Sequence, residues 1–205
     1  MALKEVRPYG AWRSPITADM VVAGTMQLEQ VAVDGQDIYW TEGRPWESGR
    51  VVLCRMTAGG QVEDLTPPPF NVRTRVHEYG GGAFSVFDGV VFFSNFSDQM
   101  VYRLDLNEDP RSQPRPITST PGMRYADATL DRPRNRLICV REDHTVPGRE
   151  AVNTIVALDL EASEAGRVLV AGQVLVEGND FYCSPRVSPD GSRLAWISWN
   201  HPNMP

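Results

Sequence analysis

Three histidines and three cysteines are all that 205 residues offer toward metal or thiol chemistry, and none stands in a productive spacing. His77-Glu78 begins like the zinc motif H-E-x-x-H, but Gly81 occupies the place of the second histidine, so two ligands are missing their partner. There is no C-x-x-C pair. Cys54, Cys139 and Cys183 are an odd, widely spaced set, which reads as reduced core thiols and predicts a cytoplasmic setting. The nucleophile elbow G-x-S-x-G is also absent, because no serine has glycine two positions before it. Gly80-Gly81-Gly82 lacks the following Lys-Ser/Thr and helix pattern of a phosphate cradle. No catalytic residue, metal or cofactor is therefore expected within these residues.

Long apolar runs are lacking too. Val90-Val91-Phe92-Phe93 is typical of the longest, far short of a membrane span. Met1 to Pro8 contains no apolar h-region, so no secretory signal is read, and Asn95-Phe96-Ser97 is taken as a chance glycosylation match. Basic residues form no stripe, and the net charge of -6 argues against a nucleic-acid partner.

What is abundant is turn chemistry. Seventeen glycines and sixteen prolines favour many short strands over long helices. One short helix is expected at Thr17 to Ala23. Strands are predicted at Gln27 to Val33, Ile38 to Thr41, Val51 to Met56 and Val62 to Leu65, with the Asp34-Gly35 turn joining the first two. The grouping recurs at Ala83 to Phe87, Val90 to Ser94, Val101 to Leu104 and Arg115 to Thr118. It recurs again at Ala126 to Leu130, Leu137 to Arg141, Thr154 to Leu158 and Val168 to Val170, and a fourth unit opens around Arg186 to Ser198. A period of roughly 50 residues with four antiparallel strands per unit predicts an all-β fold, an incomplete β-propeller of about three and a half blades. A β-sandwich is the rival, without the four-strand grouping. The Trp-Asp signature of WD repeats is missing. The expected organisation is an extension over 1–26 and a partial propeller over 27–205. Its blades are about 27–66, 82–119 and 123–171, with a half blade at 182–205. Trp40, Trp46, Trp196 and Trp199 are read as core or inter-blade packing, and the edge at Leu194 to Trp199 as one that a second copy would pair with in a homo-oligomer.

Four segments carry a family likeness: Tyr9-Gly10-Ala11-Trp12-Arg13-Ser14-Pro15-Ile16-Thr17, Val76-His77-Glu78-Tyr79-Gly80-Gly81-Gly82, Arg141-Glu142-Asp143-His144, and Ser188-Pro189-Asp190-Gly191 through Trp199 to Pro205. Together and in this order they resemble the N-terminal propeller of family S9 serine peptidases, the prolyl oligopeptidase superfamily, in its acylaminoacyl-peptidase and dipeptidyl aminopeptidase-like branch. The resemblance implies a parent in which the propeller caps a C-terminal α/β-hydrolase domain of the same chain. That domain, absent here, would bear the Ser-His-Asp triad, so this chain is expected to be a fragment that is inactive alone. In the parent it would gate and orient short peptide substrates.

The same resemblance makes acidic residues that hold a substrate's amino terminus worth seeking. Glu78, Glu142 and Asp143 are the candidates, since an ammonium paired with a carboxylate in a partly dry site is strongly oriented. The alternative for Glu78 is to accept neighbouring backbone amides. Arg75 offers a planar fork for a peptide carbonyl or carboxylate, or a tie between blades. Tyr79 is read either as lining the central cavity or as a packed core aromatic, and His144 as a loop hydrogen-bonder. The competing function is a non-enzymatic β-propeller module for protein interaction.

Overall fold

In the computed structural model, residues 6–22, 25–108, 112–165, 167–169 and 171–203 are described. Ala23, Val170, Met1 to Glu5 and Met204 to Pro205, on which some of the expectations above fall, lie outside them. The chain is nearly all-β. A short helix α1 (Ala18–Val22) leads into β1 (Gln27–Asp34), β2 (Asp37–Arg44), β3 (Arg50–Met56) and β4 (Val62–Asp64), which form one antiparallel sheet in that order. The second sheet is β5 (Phe84–Phe87), β6 (Val90–Ser94), β7 (Val101–Asp105) and the two-residue β8 (Arg115–Pro116). The third is β9 (Met123–Asp131), β10 (Arg136–Asp143), β11 (Val152–Asp159) and β12 (Gln173–Val176), with a one-turn helix α2 (Leu160–Glu164) after β11. Finally β13 (Phe181–Val187) pairs with β14 (Leu194–Trp199). This is a partial propeller.

The apolar runs explain why the sheets stack as blades. A strand with period-2 side chains that is apolar at every position must be covered on both faces. On β6, Val91 and Phe93 point into a core shared with Tyr39, Val51 and Leu53 of the first sheet. The intervening Phe92 points the other way, to Tyr125, Leu137 and Cys139 of the third. On β10 the same alternation sends Leu137 and Cys139 toward the second sheet, and Ile138 and Val140 toward Tyr182 of the fourth. Successive sheets are thus joined face to face by separate apolar clusters.

Polar staples add register at both ends of the strands. Gln30 bridges the first two sheets, accepting the Ala83 N–H at 2.9 Å and donating to the Phe84 carbonyl at 2.6 Å. The tight turns are linked in series. The Asp34 carboxylate accepts the Asp88 and Gly89 N–H groups at 3.2 and 2.6 Å, Arg132 pairs with Asp88, and Arg134 donates to the Gly191 carbonyl at 2.9 Å.

Three expectations are corrected. The outermost strand of the third sheet is Gln173–Val176 rather than Val168 to Val170. Leu169 makes only an isolated parallel bridge to Thr118 of the second sheet. Trp46 and Trp196 are exposed, while Trp40 and Trp199 are half-buried. Cys54 and Cys139 are buried, but Cys183 is only half-buried; all three are free. Asn95 of the glycosylation match is buried, and its side chain accepts the Asn71 N–H at 3.0 Å. Among the described residues no helix is long and apolar enough to cross a membrane.

Candidate functional site

The segment joining the first and second sheets ends in the loop Val76 to Gly82, and its shape follows from one anchor at each end. Val76 is fully buried in the cluster around Ala126, Ile138, Val140 and Tyr182. Just before it, the Thr74 hydroxyl donates to the Tyr125 carbonyl at 2.7 Å. At the far end Gly82 exchanges bonds with Asp127 of β9. Its N–H donates to the carboxylate at 2.6 Å, and its carbonyl accepts the Asp127 N–H at 2.8 Å. The other Asp127 oxygen takes the Ser184 N–H at 2.8 Å, so one carboxylate ties the second, third and fourth sheets. A Cβ at Gly82 would lie 2.8 Å from Asp127 Oδ1, the oxygen that accepts the Gly82 N–H, which is why the position favours glycine.

Between the anchors, His77 and Glu78 are both left-handed, with φ of 57° and 64°. Consecutive non-glycine residues in this region are costly and persist only when their surroundings over-determine them. Here Glu142, only 3% exposed, accepts the His77 N–H at 2.7 Å and holds the His144 ring nitrogen at 2.9 Å. Arg124 donates to the Arg75 carbonyl at 2.9 Å and to the Glu78 carboxylate at 2.6 Å.

The outcome for each candidate is distinct. The Glu78 side chain is presented to solvent, and its pKa is held below the usual carboxylate value chiefly by the Arg124 hydrogen bond. Its partner is that guanidinium rather than backbone amides. Arg75 lies beside it, 3.9 Å from the carboxylate. Glu142 is interior and already occupied. Asp143 is turned to its own loop, accepting the Thr145 N–H at 2.9 Å and its hydroxyl at 2.5 Å. Tyr79 is 60% exposed, so it is not a packed core aromatic. His144 bonds Glu142, as a loop hydrogen-bonder.

The loop is a ridge between two open clefts. One, of about 330 Å³, is lined by His77, Glu78, Glu142, His144, Phe181 and His201 among others. The other, of about 540 Å³, is lined by Tyr79, Gly80 and Gly81 together with Glu29, Arg73 and residues of the first sheet. His77, which lines the first cleft with Phe181, has the rings of Tyr79, Phe181 and Trp199 around it at centroid distances of 5.4 to 5.8 Å. Burial there pushes the imidazole pKa down. Sequence reasoning missed Arg124, Asp127 and this aromatic group. A charge at Asp127, between Ala126 and Ala128 of an inner strand, was the available signal.

No protein-family description matches the chain, and no curated protein is found to be similar. Solved structures do match. A puromycin-hydrolyzing peptidase of Mycobacterium tuberculosis aligns over 98% of this chain at 39% identity and a TM-score of 0.80. A puromycin hydrolase aligns over 98% at 33% identity and a TM-score of 0.83. This chain belongs with the propeller portion of the S9 serine peptidases. A serine-to-alanine mutant of puromycin hydrolase complexed with PGG matches as well, over 97% of the chain at 32% identity and a TM-score of 0.81. The S9 propeller portion described here spans 32% of the length of each of these peptidases.

Proposed function

We propose that this chain gates and orients short peptides for an S9-type serine peptidase, with hydrolysis performed by an α/β-hydrolase domain elsewhere in the same polypeptide. The carrying observation is Glu78, a carboxylate kept ionised and aimed by Arg124 on a left-handed turn at the lip of a cleft whose lining includes Phe181 and the rings of His77, His144 and His201. Such a group pairs with a free α-ammonium, and the neighbouring rings favour the same cation. The reading is therefore an aminopeptidase or dipeptidyl-peptidase specificity rather than an acylaminoacyl one, whose substrates lack that charge. The matched proteins support it. Two are named puromycin hydrolase and one a puromycin-hydrolyzing peptidase, and puromycin carries a free α-amine beside its amide bond. Of the three acidic candidates Glu142 and Asp143 shape the loops and Glu78 meets substrate, with Arg75 and Tyr79 at its sides. Three free cysteines support a reducing, cytoplasmic setting.

The test is steady-state kinetics of the full gene product on puromycin and on a tripeptide with and without N-acetylation. Glu78→Gln should raise KM for the free-amine substrates by about tenfold or more, the worth of one charge-assisted hydrogen bond, and leave the acetylated peptide unchanged. Equal kinetics of variant and wild type on free amines would refute the role of Glu78. No hydrolysis of any peptide would favour the interaction-module reading.

A further inference from the structure

The larger cleft, on the other side of the Tyr79 ridge, is lined in part by Arg73, a cation that no described residue neutralises. Arg73 and Glu29 are the only charged residues among those described that line it. Among the described residues the Arg73 guanidinium has no carboxylate partner; it lies 5.0 Å over the Phe96 ring. Both halves of that contact are fixed. The Arg73 N–H is shared between the Asn71 and Ser94 carbonyls at 3.0 and 3.1 Å, and its neighbours Val72 and Thr74 are buried. The Phe96 N–H donates to the Asn71 carbonyl at 2.8 Å. The adjoining Asn95 side chain donates to Ser97 and Asp98 at 2.9 and 3.2 Å. An exposed arginine ordinarily wanders with large rotamer entropy. This one springs from an anchored backbone and rests on an aromatic platform, which narrows the range its fork explores.

We infer that Arg73 forms a carboxylate subsite, which takes the free C-terminal carboxylate of a short peptide whose amino end lies on the Glu78 side of the ridge. The inference rests on the peptide-orienting function proposed above. Guanidinium and carboxylate meet as two parallel N–H···O bonds, and Gly80 and Gly81, which follow Glu78 by two and three residues, line the same cleft as Arg73. Glu29, the other charge in the cleft, repels the carboxylate and so places it at the Arg73 end. Cation and anion subsites on either side of one loop would select short zwitterionic peptides and set their direction.

The experiment is calorimetric titration of the full gene product with an uncleavable ketomethylene analogue of Ala-Ala-Phe, as the free acid and as the C-terminal amide. A wild-type preference of about tenfold for the acid is expected. Arg73→Gln should abolish it by weakening the acid alone, and Arg73→Lys should restore part of it, since a point charge replaces the fork. The two readings separate cleanly, because Glu78→Gln weakens acid and amide alike and leaves their ratio intact. Equal affinity of wild type for acid and amide overturns the proposal, as does a ratio that survives in Arg73→Gln. A variant of the analogue with an acidic side chain and an amidated end identifies the source of the carboxylate. Binding as tight as the free acid would overturn the C-terminal assignment.

Discussion

Replacing Glu142 by alanine is the most direct probe of how the Val76 to Gly82 loop is held. In the native protein its carboxylate takes the His77 N–H at 2.7 Å and the His144 ring at 2.9 Å, with Arg124 at 3.7 Å. Truncation leaves a left-handed His77 whose amide has lost its acceptor in a half-buried site. An abandoned donor of this kind costs about 1–3 kcal/mol. With about 2 kcal/mol lost from the closed loop and none from the open one, the local opening equilibrium rises by about 30-fold. Hydrogen–deuterium exchange on the peptide covering Arg73 to Gly82, in the full gene product, reads this directly as faster exchange. Glu142→Gln retains an acceptor oxygen for His77 and should lie much closer to wild type. Asp143→Ala is the control. It removes only the Thr145 contacts and should leave the loop's exchange unchanged. Wild-type exchange in Glu142→Ala would refute the anchoring argument. The same acceleration in Asp143→Ala would show that the effect is not specific to the Glu142 contacts.

Two further outcomes follow from the staples and the thiols. Gly82→Ala drives a methyl into the Asp127 carboxylate, because the added carbon would sit 2.8 Å from its oxygen. Asp127→Ala removes the carboxylate itself, so both variants should lose about 2 kcal/mol or more. The double variant should cost clearly less than their sum, and additivity in urea unfolding would refute the shared contact. Burial pushes the Cys54 and Cys139 thiols up to about 12, aided at Cys54 by Glu42 and Asp64. At pH 8 both therefore stay protonated as well as inaccessible, and the thiolate is the reactive form. Iodoacetamide should label half-buried Cys183 first, with Cys54 and Cys139 reacting only after denaturation, as mass spectrometry of tryptic peptides will show. Early labelling of Cys139 would contradict its place in the core.

The strands that were easiest to read are those at the centres of blades, and the reason is physical. Val90 to Ser94 and Leu137 to Arg141 are apolar at nearly every position because neighbouring sheets cover both faces, so composition alone marks them. Outer strands lack this mark. Val168 to Val170 and Gln173 to Val176 are both short and apolar, and no local rule tells which one pairs with β11. Gly172 decides it: its φ of 77° turns the chain, and only close backbone approach fits where Leu158 and the Ala157 carbonyl lie under 3 Å from any Cβ. The tryptophans misled for a related reason. Trp196 lies in an apolar run, yet β14 pairs only with β13 among the described residues, and its side chain is exposed.

The site was legible as a segment and not as a mechanism. His77 to Gly82 announces a special loop through its glycines, but the residues that give Glu78 its direction lie 46 and 64 positions later, at Arg124 and Glu142. Their spacing carries no local pattern, because contact between separate blades is set by the stacking of whole sheets. That same remoteness has a functional consequence. Glu142 is at the end of β10 and Arg124 near the start of β9, in the blade next to the one the loop precedes. The orientation of the Glu78 carboxylate therefore reports on how two blades pack. A left-handed pair such as His77-Glu78 carries a conformational cost that only those contacts offset. Any change that spreads the second and third sheets should release the loop before it unfolds either sheet.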